Sequence, residues 1–87
     1  MMFGFDEYCI ESLSNIDRTE HRFRFPNGYG AIVRRGKMIV CEPDRWEVLA
    51  VRYTDEPSPL VWHFELNRTN EEVAALLRHI LEKERAM

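Results

Sequence analysis

The residues that most readily take part in chemistry are few and widely spaced in this sequence. Two cysteines and three histidines are the candidate metal ligands and nucleophiles. They are Cys9, Cys41, His21, His63 and His79. Structural zinc sites take closely spaced ligand pairs, and neither a C-x-x-C nor an H-x-x-x-H spacing occurs here. The sequence therefore predicts no metal and no cofactor.

Nucleophilic and acid–base catalysis also lack a favourable arrangement. Cys41 and His63 can act together only if the fold brings them into contact. Neither a glycine-bearing elbow nor a helix N-terminus follows Cys41 to activate its thiol. His63 alternates with Trp62 and Phe64, which predicts that its ring points to solvent. We therefore expect a protein that is not an enzyme.

A cluster of basic residues is the most informative charged feature. The net charge is −3, yet residues 18–37 hold six bases and one acid, while residues 1–17 and 38–72 are acidic. Charge separation of this kind creates local fields that steer partners. If its arginines share a face, the basic hairpin can contact phosphates, with Tyr29 available for stacking. It can equally dock on an acidic protein surface, and a pI of about 5.6 argues against nucleic acid.

Large aromatic and basic residues are the candidates for a protein interface, because Trp and Arg contribute most to interface energetics. Trp46, beside Arg45, is either an exposed anchor or the first residue of a core strand, and the core strand is the favoured interpretation. The predicted partner-binding residues are Arg22, Arg24, Tyr29, Arg34, Arg35 and Trp46.

A C-terminal helix is the clearest predicted element. Thr69 and Glu72 fit a capping box, and the acids of the first turn suit the helix dipole. Apolar residues then recur at helical spacing on one face, at Val73, Leu76, Leu77, Ile80 and Leu81. This pattern predicts a helix over residues 70–84 that packs its apolar stripe on another layer.

Alternating segments predict that this other layer is a sheet. Asn27-Gly28 supplies the positive φ angles of a tight hairpin turn. The segment 46–53 is apolar on both faces, so we place it in the interior of the sheet. Residues 3–13 fit either an edge strand or a short helix. The other predicted strands cover residues 21–25, 29–34, 37–41 and 60–66.

These elements predict an α+β fold: an antiparallel meander of four or five strands, with one C-terminal helix packed on one face. The 87 residues suit a single domain over 1–87, with residues 1–15 loosely ordered. The predicted core comprises Phe23, Phe25, either Ile32 or Val33, Val48, Ala50, Trp62, Phe64, Leu76, Leu77, Ile80 and Leu81.

Three short motifs resemble those of a group of small phage- and prophage-encoded proteins. Residues 25–33 match an F-x-N-G-Y-G-x-x-V hairpin, and residues 46–51 are similar to its W/Y-E-V-A-V strand. Thr69 to Val73 matches the T-x-E-E-V that introduces its closing helix. The group carries a glycine-rich loop where this chain has residues 37–42. It has no established catalytic residues and its function is uncharacterised, but small phage accessory proteins commonly act by binding a host machine, including CRISPR and other defence complexes.

The resemblance implies a non-enzymatic phage-type accessory protein that binds a host protein complex and inhibits or modulates it. CRISPR complexes and other defence complexes are among the targets that it implies. The alternative is a small nucleic-acid-binding module that uses the basic hairpin 18–37. A virion or assembly component, which would self-associate, is a third class. The sequence has no apolar run of the roughly 20 residues that span a membrane, and acids near its start disfavour a signal peptide. We expect a cytoplasmic protein of the host cell, monomeric or homodimeric.

Overall fold

A turn at Pro26-Asn27-Gly28 closes the first long hairpin of the fold. In the computed structural model, which describes residues 3–37, 39 and 41–84, Gly28 N donates to Phe25 O at 3.1 Å, and Phe25 N donates to Tyr29 O at 2.8 Å. Gly28 has a positive φ of 90°, whereas the φ angle of Asn27 is not positive. The turn is therefore a three-residue loop with a left-handed glycine, and the predicted pair of positive φ angles is reduced to one.

Five antiparallel strands form one sheet in chain order, so each strand pairs with the next one along the sequence. The strands are β1 (Cys9–Ser14), β2 (Arg18–Arg24), β3 (Tyr29–Gly36), β4 (Trp46–Arg52) and β5 (Leu60–Arg68). A single 3-10 turn, Asp6–Tyr8, precedes β1, so the ambiguous N-terminal segment contains both a short helical turn and an edge strand. The predicted α+β meander with one C-terminal helix is confirmed.

The helix α1 (Asn70–Leu81) follows β5 directly and begins as the sequence predicts. Glu72 N donates to the Thr69 hydroxyl at 3.2 Å, and Thr69 N donates to the Glu72 carboxylate at 2.9 Å. These two bonds satisfy backbone N–H groups that have no acceptor within the helix. The helix ends at Leu81, three residues before its predicted end. No helix in the described part of the chain is long and apolar enough to cross a membrane.

The core lies between α1 and one face of the sheet, which we call the covered face; the opposite one is the open face. Val73, Leu77 and Ile80 of α1 are fully buried, as expected from their spacing. Burial of each such side chain stabilises the fold by about 1.5–3 kcal/mol. The buried cluster is completed by Phe5, Phe23, Phe25, Ala31, Val33, Trp46, Val48 and Ala50.

Asn27 connects the β2–β3 turn to the end of α1. Its side-chain amide donates to the carbonyl oxygens of Ile80 and Leu81, at 2.8 and 3.2 Å, and to that of Lys83 at 3.2 Å. Its side-chain oxygen accepts from Tyr29 N at 3.0 Å. The last carbonyls of a helix lack partners within it, so Asn27 caps α1 from a turn more than fifty residues earlier in the chain.

Two expectations about individual segments are wrong. The predicted strand at 37–41 does not form: Lys37, Ile39 and Cys41 lie in turns and bends, and Met38 and Val40 fall outside the described residues. Trp62 and Phe64, predicted to be in the core, are 43% and 59% exposed. Trp62 lies on the covered side of the edge strand β5, where α1 packs little, and Phe64 lies opposite Leu49 on the open face, away from α1.

Candidate protein-binding surface

The arginines predicted to form a basic hairpin do not share one face. Successive side chains of a strand alternate between faces. Arg22 lies opposite Ile32, and Arg34 lies opposite Glu20, all on the open face. Arg24 shares that face, whereas Arg35 lies on the covered side against Trp46. A single basic ribbon would require all four arginines on one face of the sheet. Because Arg35 lies on the covered side, the hairpin does not form such a ribbon.

Acidic residues of the same strand and of neighbouring strands pair with the open-face arginines. Arg22 Nε lies 3.0 Å from the Glu20 carboxylate and 3.5 Å from that of Glu11. Arg34 pairs with Glu47 of β4. Glu20 is only 4% exposed, and the guanidinium of Arg22 supplies the hydrogen bond that its buried carboxylate needs. The positive charge of this part of the hairpin is therefore largely neutralised within the molecule.

Aromatic rings engage the other two predicted arginines. The Arg24 guanidinium lies 4.8 Å from the centre of the Tyr53 ring, and that of Arg35 lies 4.1 Å from the centre of Trp46. Cation–π contacts of this kind are worth about 0.5–2 kcal/mol each. Burial raises the pKa of Tyr53 above its usual value, which keeps its hydroxyl protonated. All four predicted arginines thus have structural contacts inside the chain.

Trp46 is a core residue and not an exposed anchor. It is 5% exposed, and its indole N–H donates to the Asn70 side-chain oxygen at 2.8 Å, at the start of α1. Phe3 packs edge-on against it at 5.3 Å, and the His21 ring lies 5.8 Å away. Burial first, and then the charge of Arg35, lower the pKa of His21, which favours its neutral form. A cleft of about 470 Å³ borders this cluster.

Tyr29 is half-buried and lies between the end of α1 and β5. Its ring centre is 5.8 Å from that of Trp62, in an edge-on arrangement, and the Lys83 ammonium lies 5.5 Å from it. The same ammonium lies 5.0 Å from the Trp62 ring. Tyr29 is therefore not free at the hairpin tip for stacking on a base, as the nucleic-acid interpretation requires; it supports Trp62 at the sheet edge.

The largest group of exposed apolar side chains in the described chain lies on β5, the strand whose Trp62 and Phe64 the sequence prediction placed in the core. Five of the eight exposed large apolar side chains belong to this strand. They are Leu60, Val61, Trp62, Phe64 and Leu66, each 41–59% exposed. The sequence alternates apolar residues with Val61, His63 and Glu65, which predicts one apolar face. Apolar side chains reach both faces because the pairing with β4 shifts near Trp62, and the alternation does not signal that shift.

The open face extends this surface inward from β5. Phe64 lies opposite Leu49 of β4, and Leu49 lies opposite Ile32 of β3, so the three form one row across the strands. Val61 and Leu66 flank Phe64 on the same face. Within the described chain no helix packs on this face, and the ion pairs of β2 and β3 border it. We call Ile32, Leu49, Val61, Phe64 and Leu66 the open-face patch.

The polar side chains that could take part in catalysis each have local contacts within the chain. Cys41 Sγ accepts a hydrogen bond from Asn67 N at 3.4 Å, and His63 Nε2 lies 2.9 Å from Glu65, so each of the two has a local contact of its own. Ser12 Oγ lies 2.9 Å from His21 Nδ1, a pair that the sequence analysis missed. Arg35 beside His21 opposes the protonated imidazole that a general base must form. Among the described residues no three His, Cys, Asp or Glu side chains group into a metal site.

Comparison with protein-family models, with curated proteins and with solved structures gives no match for this chain.

Proposed function

We propose that this chain is a non-enzymatic accessory protein that binds a larger host protein complex through the open-face patch and so inhibits or modulates it. The observation that carries the proposal is the set of exposed apolar side chains on β5, which Leu49 and Ile32 continue into the sheet as less exposed neighbours. Exposed apolar groups that lie together, bordered by polar residues, mark interaction sites in soluble proteins. The phage-like hairpin motif supplies the further proposal that the target is a defence complex in the host cytoplasm.

The pairing of the arginines supports protein binding over nucleic-acid binding. A protein that neutralises phosphates needs cations that can release counterions. Arg22 and Arg34 are paired with carboxylates, and Arg24 and Arg35 stack on aromatic rings. Moving any of them to a phosphate would break an existing contact, and moving Arg22 or Arg34 would also take the arginine away from Glu20 or Glu47. The arginine contacts therefore favour a structural role for the basic hairpin.

The experiment is capture of host proteins on the immobilised full-length chain, with nuclease treatment and a salt series. The proposal predicts a stoichiometric protein complex that survives nuclease and persists from about 0.15 to 0.5 M salt, because apolar contacts are not screened. A module that neutralises four phosphates would lose roughly a hundredfold in affinity over this range. Bound material that disappears with nuclease would overturn the proposal in favour of the nucleic-acid module.

Two lysine variants map the surface. Val61→Lys places a charge in the open-face patch, where the side chain is 52% exposed, and is expected to abolish capture. Ile16→Lys makes a similar apolar-to-lysine change at a residue that is 88% exposed in the β1–β2 turn, and should leave capture intact. Equal capture by both variants would show that the patch is not the docking surface.

A further inference from the structure

β5 has the composition of an interior strand, although it lies at the edge of the sheet. Leu60 and Trp62 are on the covered side, where both border a cleft with Tyr29 and Lys83. Val61 and Phe64 lie opposite Val51 and Leu49 on the open face. A strand with one neighbour and solvent on its other side usually carries polar or charged residues as a guard against pairing. Apolar residues on both faces are typical of a strand with neighbours on both sides.

The other edge of the sheet provides an internal reference. β1 has six residues, of which Glu11, Ser12 and Ser14 are polar or charged, and a register shift occurs between Cys9 and Glu11. These features protect an edge from further pairing. β5 has nine residues and exposes four apolar side chains besides Phe64. Only the β5 edge combines length with apolar side chains on both faces.

We infer that β5 is a homodimer interface, in which β5 strands of two copies of this chain pair antiparallel about a two-fold axis through Phe64. The two five-stranded sheets then form one continuous ten-stranded sheet. The partner is a second copy because the strand is complementary to itself in this register. A two-fold axis requires that each residue contact a partner that contacts it in return.

The side chains of β5 match one another about Phe64. The antiparallel register places Phe64 opposite its own equivalent, on the open face of both copies. It also places His63 opposite Glu65, and these two groups already bond at 2.9 Å within one chain. Arg68 falls opposite Leu60, so no two charges of the same sign meet. Aromatic pairs and opposite-charge pairs across strands each contribute about 0.2–1 kcal/mol.

The irregularities of β5 select the same register. The register of its pairing with β4 shifts at two places. One shift lies between Val61 and His63, and the other lies between Glu65 and Arg68. The regular segment between the two shifts is 63–65, and Phe64 is its centre. A register centred elsewhere would place an irregular position in the middle of the new hydrogen-bonded ladder.

Such a dimer is closed, because each copy uses the same strand and no second β5 edge remains. A contact between β5 and β1 would instead leave a free edge at each end and generate open filaments. Closure also brings the two open-face patches together at the axis, since each contains Phe64. This inference stands independently of the proposed function: it concerns the purified chain alone.

The test is sedimentation velocity of the full-length chain over a range of concentrations. The inference predicts a species of about twice the 10.4 kDa monomer. Phe64→Lys places two like charges at the axis and is expected to raise the dimer dissociation constant at least tenfold. Leu13→Lys makes the same kind of change on the open face of β1, where the side chain is 38% exposed, and should leave the dimer unchanged.

A disulfide provides a second readout that does not depend on weakening the interface. In a Cys9→Ser, Cys41→Ser background, Phe64→Cys should form an intermolecular disulfide under mild oxidation, because residues that meet at a two-fold axis have Cα atoms close enough for the bond. Leu13→Cys in the same background should remain reduced. A wild-type chain that sediments as a monomer at every concentration, or crosslinking of Leu13→Cys but not of Phe64→Cys, would overturn the inference. A monomer that still captured a host protein would contradict the dimer alone.

Discussion

The centre of the sheet and its β5 edge contain similar residues in opposite environments. Val48 and Ala50 of β4 are fully buried beneath α1, whereas Leu60 and Trp62, on the same covered side of the adjacent strand, are 55% and 43% exposed. Apolar residues at the centre account for folding. Those of β5 are only partly buried in the monomer, so folding alone does not explain them. Residue type therefore does not distinguish a core strand from an exposed edge strand in this protein, whereas coverage by α1 does.

The size of the helical layer explains why coverage stops before β5. A helix with its side chains is about 10–12 Å wide, whereas five strands spaced about 4.8 Å apart span about 19 Å. α1 packs mainly on β3 and β4. The N-terminal segment covers the β2 side, where Tyr8 and Phe5 contact the Phe25 ring at 5.2 and 6.2 Å. No described segment performs the same role for β5.

Truncation of one apolar side chain in each region should separate their roles most clearly. Leu77→Ala removes a fully buried side chain and is expected to lower the free energy of unfolding by about 2–5 kcal/mol. Phe64→Ala, at a residue that is 59% exposed, should change it by no more than about 0.5 kcal/mol in the monomer. Urea unfolding at low protein concentration measures both. A comparable loss in the two variants would contradict the assignment of β5 to association.

The Asn27 cap should give the next largest effect, because it links the centre of the sheet to α1. Asn27→Ala removes the side-chain donor to two carbonyls of the last turn of α1, Ile80 and Leu81, and to that of Lys83, and is expected to cost about 1–3 kcal/mol. Asn15 is a matched control in the β1–β2 turn, where its side chain accepts only from the nearby amides of Asp17 and Arg18. Asn15→Ala should cost less than Asn27→Ala in the same unfolding experiment. If both variants lost the same free energy of unfolding, the contacts of Asn27 with the end of α1 would contribute nothing beyond its role in the turn.

The start of α1 should add a smaller, pH-dependent contribution. Hydrogen bonds from the Thr69 amide, and then contact with Arg68, hold the pKa of Glu72 below its usual value in the folded chain. The folded state therefore binds this proton less readily than the unfolded state does. The contribution is present above the unfolded pKa and is lost as the pH falls through the lowered folded pKa. Glu72→Gln should flatten the acid limb of stability against pH; an unchanged acid limb would contradict the capping role.

Local sequence patterns predicted much of the fold. The capping box at Thr69 and the helical spacing of Val73, Leu77 and Ile80 each depend on neighbours within a few residues, and α1 forms where they predict it. The Asn27-Gly28 turn is also local, although its cap on α1 is not. The contacts between strands depend instead on the register of the sheet. Arg34 pairs with Glu47, thirteen residues later, because the register of β3 and β4 places them opposite each other.

The core placement of Trp62 and Phe64 and the expectation of a basic surface failed for one physical reason. The alternation of Trp62 and Phe64 with polar neighbours identifies a strand, but it does not reveal whether another layer covers that strand. Likewise, the number of arginines in residues 18–37 gives the charge of the hairpin and not its partners. Coverage and pairing are properties of the assembled sheet. For this reason the predicted basic surface is largely neutralised, and the actual apolar surface was expected to be core.

Hydrogen exchange of backbone amides at several protein concentrations tests the central claim, that β5 is an association edge, most directly. The account predicts that outward-facing amides around Phe64 exchange more slowly as concentration rises, while amides of β3, already bonded on both sides, do not change. The outer amides of β1 should also be independent of concentration. Protection that appears on β1, or exchange around Phe64 that is the same at every concentration, would contradict the account.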